Sequence, residues 1–204
     1  MQIKPGDPPS PSVPTVRVGM VEFTEWLDER VETLRVHWAQ EIEATGLGHG
    51  RIDEGLLNRF VHCLVDMLPL MLGSHRDQIL PLWIRGFELF GTVAARRGLA
   101  AGEAIEEVHL LRELVIRDLY RDPPMGGTVP LSLREVLRLN RALDRAVTHA
   151  SVGHTDALFF EFFDAEGSGV LPEADMGPEL SGQLDEIESE VHLVTAGASV
   201  RSLD

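Results

Sequence analysis

Between Val18 and Asp164, apolar residues recur every three to four positions and the alternation of a half-buried strand is nearly absent, so this stretch reads as helices. The first helix is predicted over about Val21 to Ala44, with Phe23, Trp26, Leu27, Leu34 and Trp38 on one broad face and Gly46, Gly48 and Gly50 ending it. Asp53 stands where it can cap a second helix, whose stripe is Leu57, Phe60, Val61, Leu64, Leu68 and Met71 before Gly73. Ser74 with Asp77 resembles a capping arrangement opening a third, which holds Leu80, Trp83, Ile84, Phe87, Phe90 and Ala94 and stops near Gly98. Pro81 inside it predicts a kinked first turn or a late start. The fourth spans about Ala101 to Tyr120, with Ile105, Val108, Leu111, Val115 and Leu119 in register, and Pro123, Pro124, Gly126 and Gly127 break it. Ser132 with Glu135 forms a capping box, and a long helix runs from Leu133 to Phe163 with only Gly153 interrupting. The expectation is an all-α single domain of five to six helices with a long C-terminal helix.

The ends differ from this middle. Residues 1–17 carry Pro5, Pro8, Pro9, Pro11 and Pro14 among small polar residues, which predicts an extended leader. Residues 18–163 form the helical domain and 164–204 an acidic tail. The chain's formal charge is −15, and residues 161–204 hold 11 acids against one arginine, so most of the excess lies at the end. Within the tail, Leu180, Leu184, Ile187, Val191 and Val194 make a short seam with Asp185, Glu186, Glu188 and Glu190 outside it. Such a helix can dock on the core or grip a partner's groove, and alone in water it is marginal.

Apolar residues at 44% and charged residues at 25% describe a globular chain. The negative charge opposes broad attraction to nucleic acid or anionic lipid. Cys63 is the single cysteine, which excludes an internal disulfide and fits a reducing cytoplasm. The leader lacks the apolar core of a signal peptide. No run reaches the roughly 18 apolar residues of a membrane span, since Leu56–Leu72 is broken by Asn58, Arg59, His62, Asp66 and Pro69.

Candidate chemistry is sparse. Asp164 to Asp175 matches a calcium loop of the EF-hand kind in part, with Asp164, Glu166, Ser168 and Asp175 at ligand positions one, three, five and twelve and Gly169 at six. Glu at three, Pro at nine and the shorter Asp at twelve speak against it, and an acidic linker with turn glycines is the plainer reading. Glu106-x-x-His109 has the spacing of a carboxylate-bridged di-iron bundle, but no second Glu-x-x-His exists to complete it. Eight histidines leave haem ligation open without singling one out; His62 and His109 lie on amphipathic helices and His37 precedes Trp38. Cys63 reads as a structural thiol. No phosphate loop, nucleophile elbow or zinc spacing is present.

On the long helix, Asn140 and His154 fall among Leu133, Leu137, Leu143, Val147 and Leu158. A polar residue on such a seam either fixes register between paired helices or is a hydrogen-bonded core residue. Arg134, Arg138, Arg141 and Arg145 line another face, read as solvated or as a docking strip for the acidic tail or an acidic partner.

The order of elements carries a family resemblance. Leu82-Trp83-Ile84-Arg85 leads to Arg96-Arg97-Gly98-Leu99, then to Glu103-Ala104-Ile105-Glu106-Glu107 and Leu110-Leu111-Arg112-Glu113-Leu114, and the long helix contains Leu137-Arg138-Leu139-Asn140-Arg141-Ala142-Leu143-Asp144. Over roughly residues 20–162 this resembles the N-terminal domain of RsbT co-antagonist proteins of the RsbRD kind, also found ahead of some sensor histidine kinases. The resemblance implies a helical input domain that dimerises and signals through its last helix, with a globin-like fold lacking haem in the better-known relatives, and no catalytic residues. Those domains precede an anti-sigma-antagonist domain or a kinase core; here only about forty acidic residues follow.

The function expected is therefore a non-enzymatic, homodimeric, cytoplasmic stress or two-component type regulator without a cofactor. It acts on a separate signalling protein, with Leu137, Asn140, Leu143, Val147 and His154 on the dimer or signalling helix. The rivals are a carrier enclosing a small molecule or haem between helices one to three, and a divalent-metal sensor through Asp164–Asp175.

Overall fold

A computed structural model describes residues 20–45, 53–124, 133–168 and 177–201, and these form seven α-helices: α1 (Met20–Asp28), α2 (Val31–Ala44), α3 (Glu54–Leu72), α4 (Arg76–Arg96), α5 (Ala101–Arg121), α6 (Leu133–Ser168) and α7 (Gly177–Arg201). The all-α expectation holds, with one more helix than expected at the start and a longer one at the end. The predicted leader, Ser132 and Asp175 lie outside the described residues.

The predicted first helix is two helices. No proline or glycine separates them. In one straight helix position 30 would continue the stripe of Phe23, Leu27 and Leu34, and that position is arginine. Breaking the helix at Glu29–Arg30 takes the charge off the apolar face. The Arg30 guanidinium then lies 4.3 Å from the Trp26 ring centre, donates to the Trp26 carbonyl freed at the end of α1, and pairs with Asp122 at the end of α5. The Trp26 indole N–H donates to the Asp122 carbonyl at 2.7 Å, so two residues hold the corner to α5.

α3 starts after Asp53, as expected, though the Asp53 side chain makes no capping bond. α4 starts at Arg76 after His75, not with a Ser74–Asp77 capping pair, and runs unbroken through Pro81. Its end is a Schellman motif: Gly98 takes φ +82°, its N–H donates to Ala95 O, and Leu99 N–H donates to Ala94 O. Leu99 then packs with Ala94 and Ala104.

α6 does not break at Gly153. Gly91 of α4 lies against the backbone of Ala150 and His154, and Gly153 of α6 lies against the backbone of Glu88, so two helices cross with no side chain between them. Around that crossing the core is aromatic: Trp38, Phe60, Trp83, Phe87 and Phe90 are each less than 2% exposed. Both buried indoles find acceptors, Trp38 at Glu107 O (2.7 Å) and Trp83 at Ala142 O (3.1 Å). These rings lie in the interior between the first three predicted helices, the place expected of a ligand chamber. α3 alone among the described helices is long and apolar enough to span a membrane, and most of that stretch is buried inside the molecule.

Candidate functional site

The long helix divides the expected signalling residues between two faces. Leu143 (0% exposed) and His154 (2%) belong to the chain's own core, and Val147 packs against it. The His154 Nε2–H donates to the Leu99 carbonyl at 2.7 Å, which fixes the tautomer because a carbonyl only accepts. Asn140 donates to the Val136 carbonyl one turn back, a bond local to α6. Of the five, Leu137 alone is exposed, so the expected seam is corrected: it mixes a buried face with an outer one.

The outer face has a register of its own. Leu133, Leu137, Arg141, Asp144, Thr148, Val152, Thr155 and Phe159 are all exposed, at spacings of four, four, three, four, four, three and four. Leu133, Leu137, Val152 and Phe159 are the large apolar members, with Phe160 edge-on to Phe159. Arg112 of α5 pairs with Asp144 at 2.5 Å beside this stripe, and Ile116 and Tyr120 of α5 are exposed as well. The first half of α6 carries Arg134, Arg138, Arg141 and Arg145 against Glu135 and Asp144; the second carries Asp156, Glu161, Asp164 and Glu166 with no basic side chain but His154. The two ends of this helix are opposite in charge.

The described helix of the acidic tail, α7, does not lie on those arginines. α7 packs on α3 and α4, burying Leu180, Leu184 and Ile187, with Val191 and Val194 partly buried behind them. Arg59 of α3 pairs with Asp185 (2.5 Å) and Glu188 (2.7 Å) and donates to Ser181 Oγ; Arg85 of α4 pairs with Glu186 (3.2 Å) and Glu190 (3.0 Å). The carboxylate flanks were legible in the sequence, but Arg59 and Arg85 were passed over. The signal that finds them is their placement beside long apolar stripes in a chain with few cations.

Beside α7 opens a groove of about 560 Å³, lined by residues of α1, α2, α3 and α7 and the turn after α1. Asp28, Glu29, Glu32, Asp66 and Glu188 make its rim acidic, while Val31, Leu70 and Val191 supply apolar surface. Among its described lining residues Arg35 is the one arginine, paired with Asp66 and, at 2.8 Å, with Glu32. Cys63 lies in its wall, 6% exposed; burial first, then the charges of Glu188 and Asp66, push its thiol up to about 12. That is the inert structural thiol the sequence suggested.

Metal chemistry gains no support. Helical backbone continues through the first five positions of the expected calcium loop, 164–168, so the chain does not turn there; the side chains of Asp164, Glu166 and Ser168 are not described. His109 is 44% exposed and approaches Glu106 at 3.9 Å, while Glu113 pairs with Arg117, so the di-iron spacing lies on open surface. Among the described residues no three His, Cys, Asp or Glu side chains are grouped to hold a metal.

One buried ion pair was invisible in the sequence. Arg97, at the cap of α4, meets Glu107 of α5 at 2.8 Å with both side chains at most 5% exposed. Burial raises the Glu107 carboxyl above the ordinary glutamate range, opposed by Arg97.

No protein-family model matches the chain, and no curated protein or solved structure is significantly similar to it.

Proposed function

We propose that this is a non-enzymatic, cytoplasmic regulatory domain that pairs with a second copy through the outer face of α6 and acts on a separate signalling protein. This is the role that the resemblance to RsbT co-antagonist domains implies. The observation that carries it is the exposed stripe from Leu133 to Phe159, a coiled-coil-like register on a helix whose inner face already serves the core. The opposite charges of the two halves favour antiparallel pairing. With a two-fold axis near position 146, Leu133 meets Phe159 of the second copy, Leu137 meets Thr155, and Asp144 meets Thr148. A signal that changes how α6 packs on α4 shifts the population of paired states.

Native mass spectrometry tests the pairing. The wild type is expected as a dimer, and Leu137→Glu with Val152→Glu, both on solvent-facing positions, as a folded monomer. A wild type that is monomeric at tens of micromolar overturns the reading.

A second reading has its own observation: the groove beside α7 is of a size that takes a small organic ligand. The same spectra would then show a fixed added mass, lost in a variant that fills the groove, Leu70→Trp.

A further inference from the structure

α7 is held lightly for its length. Among the described residues it buries three side chains over 25 residues, against eleven over 19 in α3, and the four carboxylates that fix it are 39–69% exposed. Exposed pairs of this kind contribute little in water and fade as salt screens them. The α4–α6 crossing, by contrast, is backbone against backbone. Few buried contacts and exposed ion pairs place α7 among the elements that open at low cost.

Beneath it lies a surface with a definite recognition pattern. An apolar strip takes residues at spacings of four, three, four and three (Leu180, Leu184, Ile187, Val191 and Val194). Arg59 reads Asp185 and Glu188 on one flank, and Arg85 reads Glu186 and Glu190 on the other. We propose that the α3–α4 face carrying Arg59 and Arg85 is a docking site for an acidic amphipathic helix of a partner protein, and that α7 is its resident occupant, displaced when the partner binds. Charge complementarity selects the occupant: guanidinium groups on both edges of an apolar strip reject a basic helix and leave a neutral one without its flanking contacts. Displacement also exchanges Glu188, Val191, His192 and Thr195 in the groove wall for side chains of the partner, so docking and groove occupancy are linked. This face is separate from the α6 stripe, so peptide binding to a chain that stays monomeric would sink the pairing reading and leave this one standing.

The test uses the full chain and a fluorescein-labelled peptide of residues 177–201. Glu186→Lys with Glu190→Lys in the chain sets lysines against Arg85 and loosens the resident helix while leaving buried positions alone. The peptide is expected to bind this variant about tenfold or more tighter than wild type by anisotropy, and to lose that affinity at 0.5 M salt or with Arg59→Ala and Arg85→Ala. Equal affinity for wild type and variant, no binding to either, or equal binding of a control peptide with Asp185→Asn, Glu186→Gln, Glu188→Gln and Glu190→Gln overturns the proposal. Should the variant lose its helical circular dichroism, the wild type decides. Peptide binding to the wild type is then expected to saturate and to be lost at 0.5 M salt, and binding that salt leaves unchanged overturns the proposal.

Discussion

Gly91 of α4 lies against the backbone of Ala150 in α6, and the reciprocal contact of Gly153 with Glu88 closes the same crossing. A methyl group at either glycine overlaps main-chain atoms that have no soft torsion to relieve it. Gly91→Ala and Gly153→Ala are each expected to cost about 3 kcal/mol or more, at the upper end for overpacking. Gly182 of α7 faces open space, so Gly182→Ala is expected to gain about 0.5–1 kcal/mol from helix preference alone. Urea unfolding of the three variants checks both signs.

The buried Arg97–Glu107 pair makes a prediction of different form. Glu107→Ala takes from the buried Arg97 guanidinium its carboxylate at 2.8 Å and is expected to cost about 3 kcal/mol. Because burial raises the native carboxyl above its unfolded value, the native state holds a proton that the unfolded chain has released. Its stability contribution is full below the unfolded value, near 4.3, and declines as pH rises through the native one. The unfolding free energy of wild type relative to Glu107→Gln is therefore expected to fall with rising pH across that window. A difference that rises there contradicts the assignment.

Cys63 serves as a reporter. With its thiol near 12, the thiolate at pH 8 is scarcer than in free cysteine by about a thousandfold, before burial is counted. Reaction with a disulfide reagent is expected to be slower than that of free cysteine by at least that factor. Arg59→Ala, which releases one edge of α7, is expected to speed it. A wild-type rate near that of free cysteine contradicts the position of α7.

Much of the fold was legible because helical spacing is a local signal. The stops at Gly73 and Gly98, the break at Pro123 and the tail seam from Leu180 all stand where the pattern put them. What was missed depends on partners distant in sequence. Arg30 breaks a helix that has no local breaker because Trp26 and Asp122 receive its charge. Gly153, read as an interruption, is the point of closest approach between two helices. Leu143 and His154 were placed on a seam with Leu137 because periodicity gives faces and not neighbours. His154, read as a core residue or a register residue, is the former. The docking arginines were hidden for the same reason, since Arg59 and Arg85 acquire their role only when residues 126 and 101 positions further along come back to them.

Antiparallel pairing through the outer stripe of α6 is the central claim, and a distance between copies tests it most directly. A spin label at Thr155→Cys in a Cys63→Ala background lies nine residues from the proposed axis on each copy. At 1.5 Å per residue, double electron–electron resonance is expected to give about 25–30 Å between the two labels. Labels near 10 Å, seen as dipolar broadening of the continuous-wave spectrum, would mean parallel helices in contact, and no dipolar interaction in either experiment would mean no dimer; either contradicts the account.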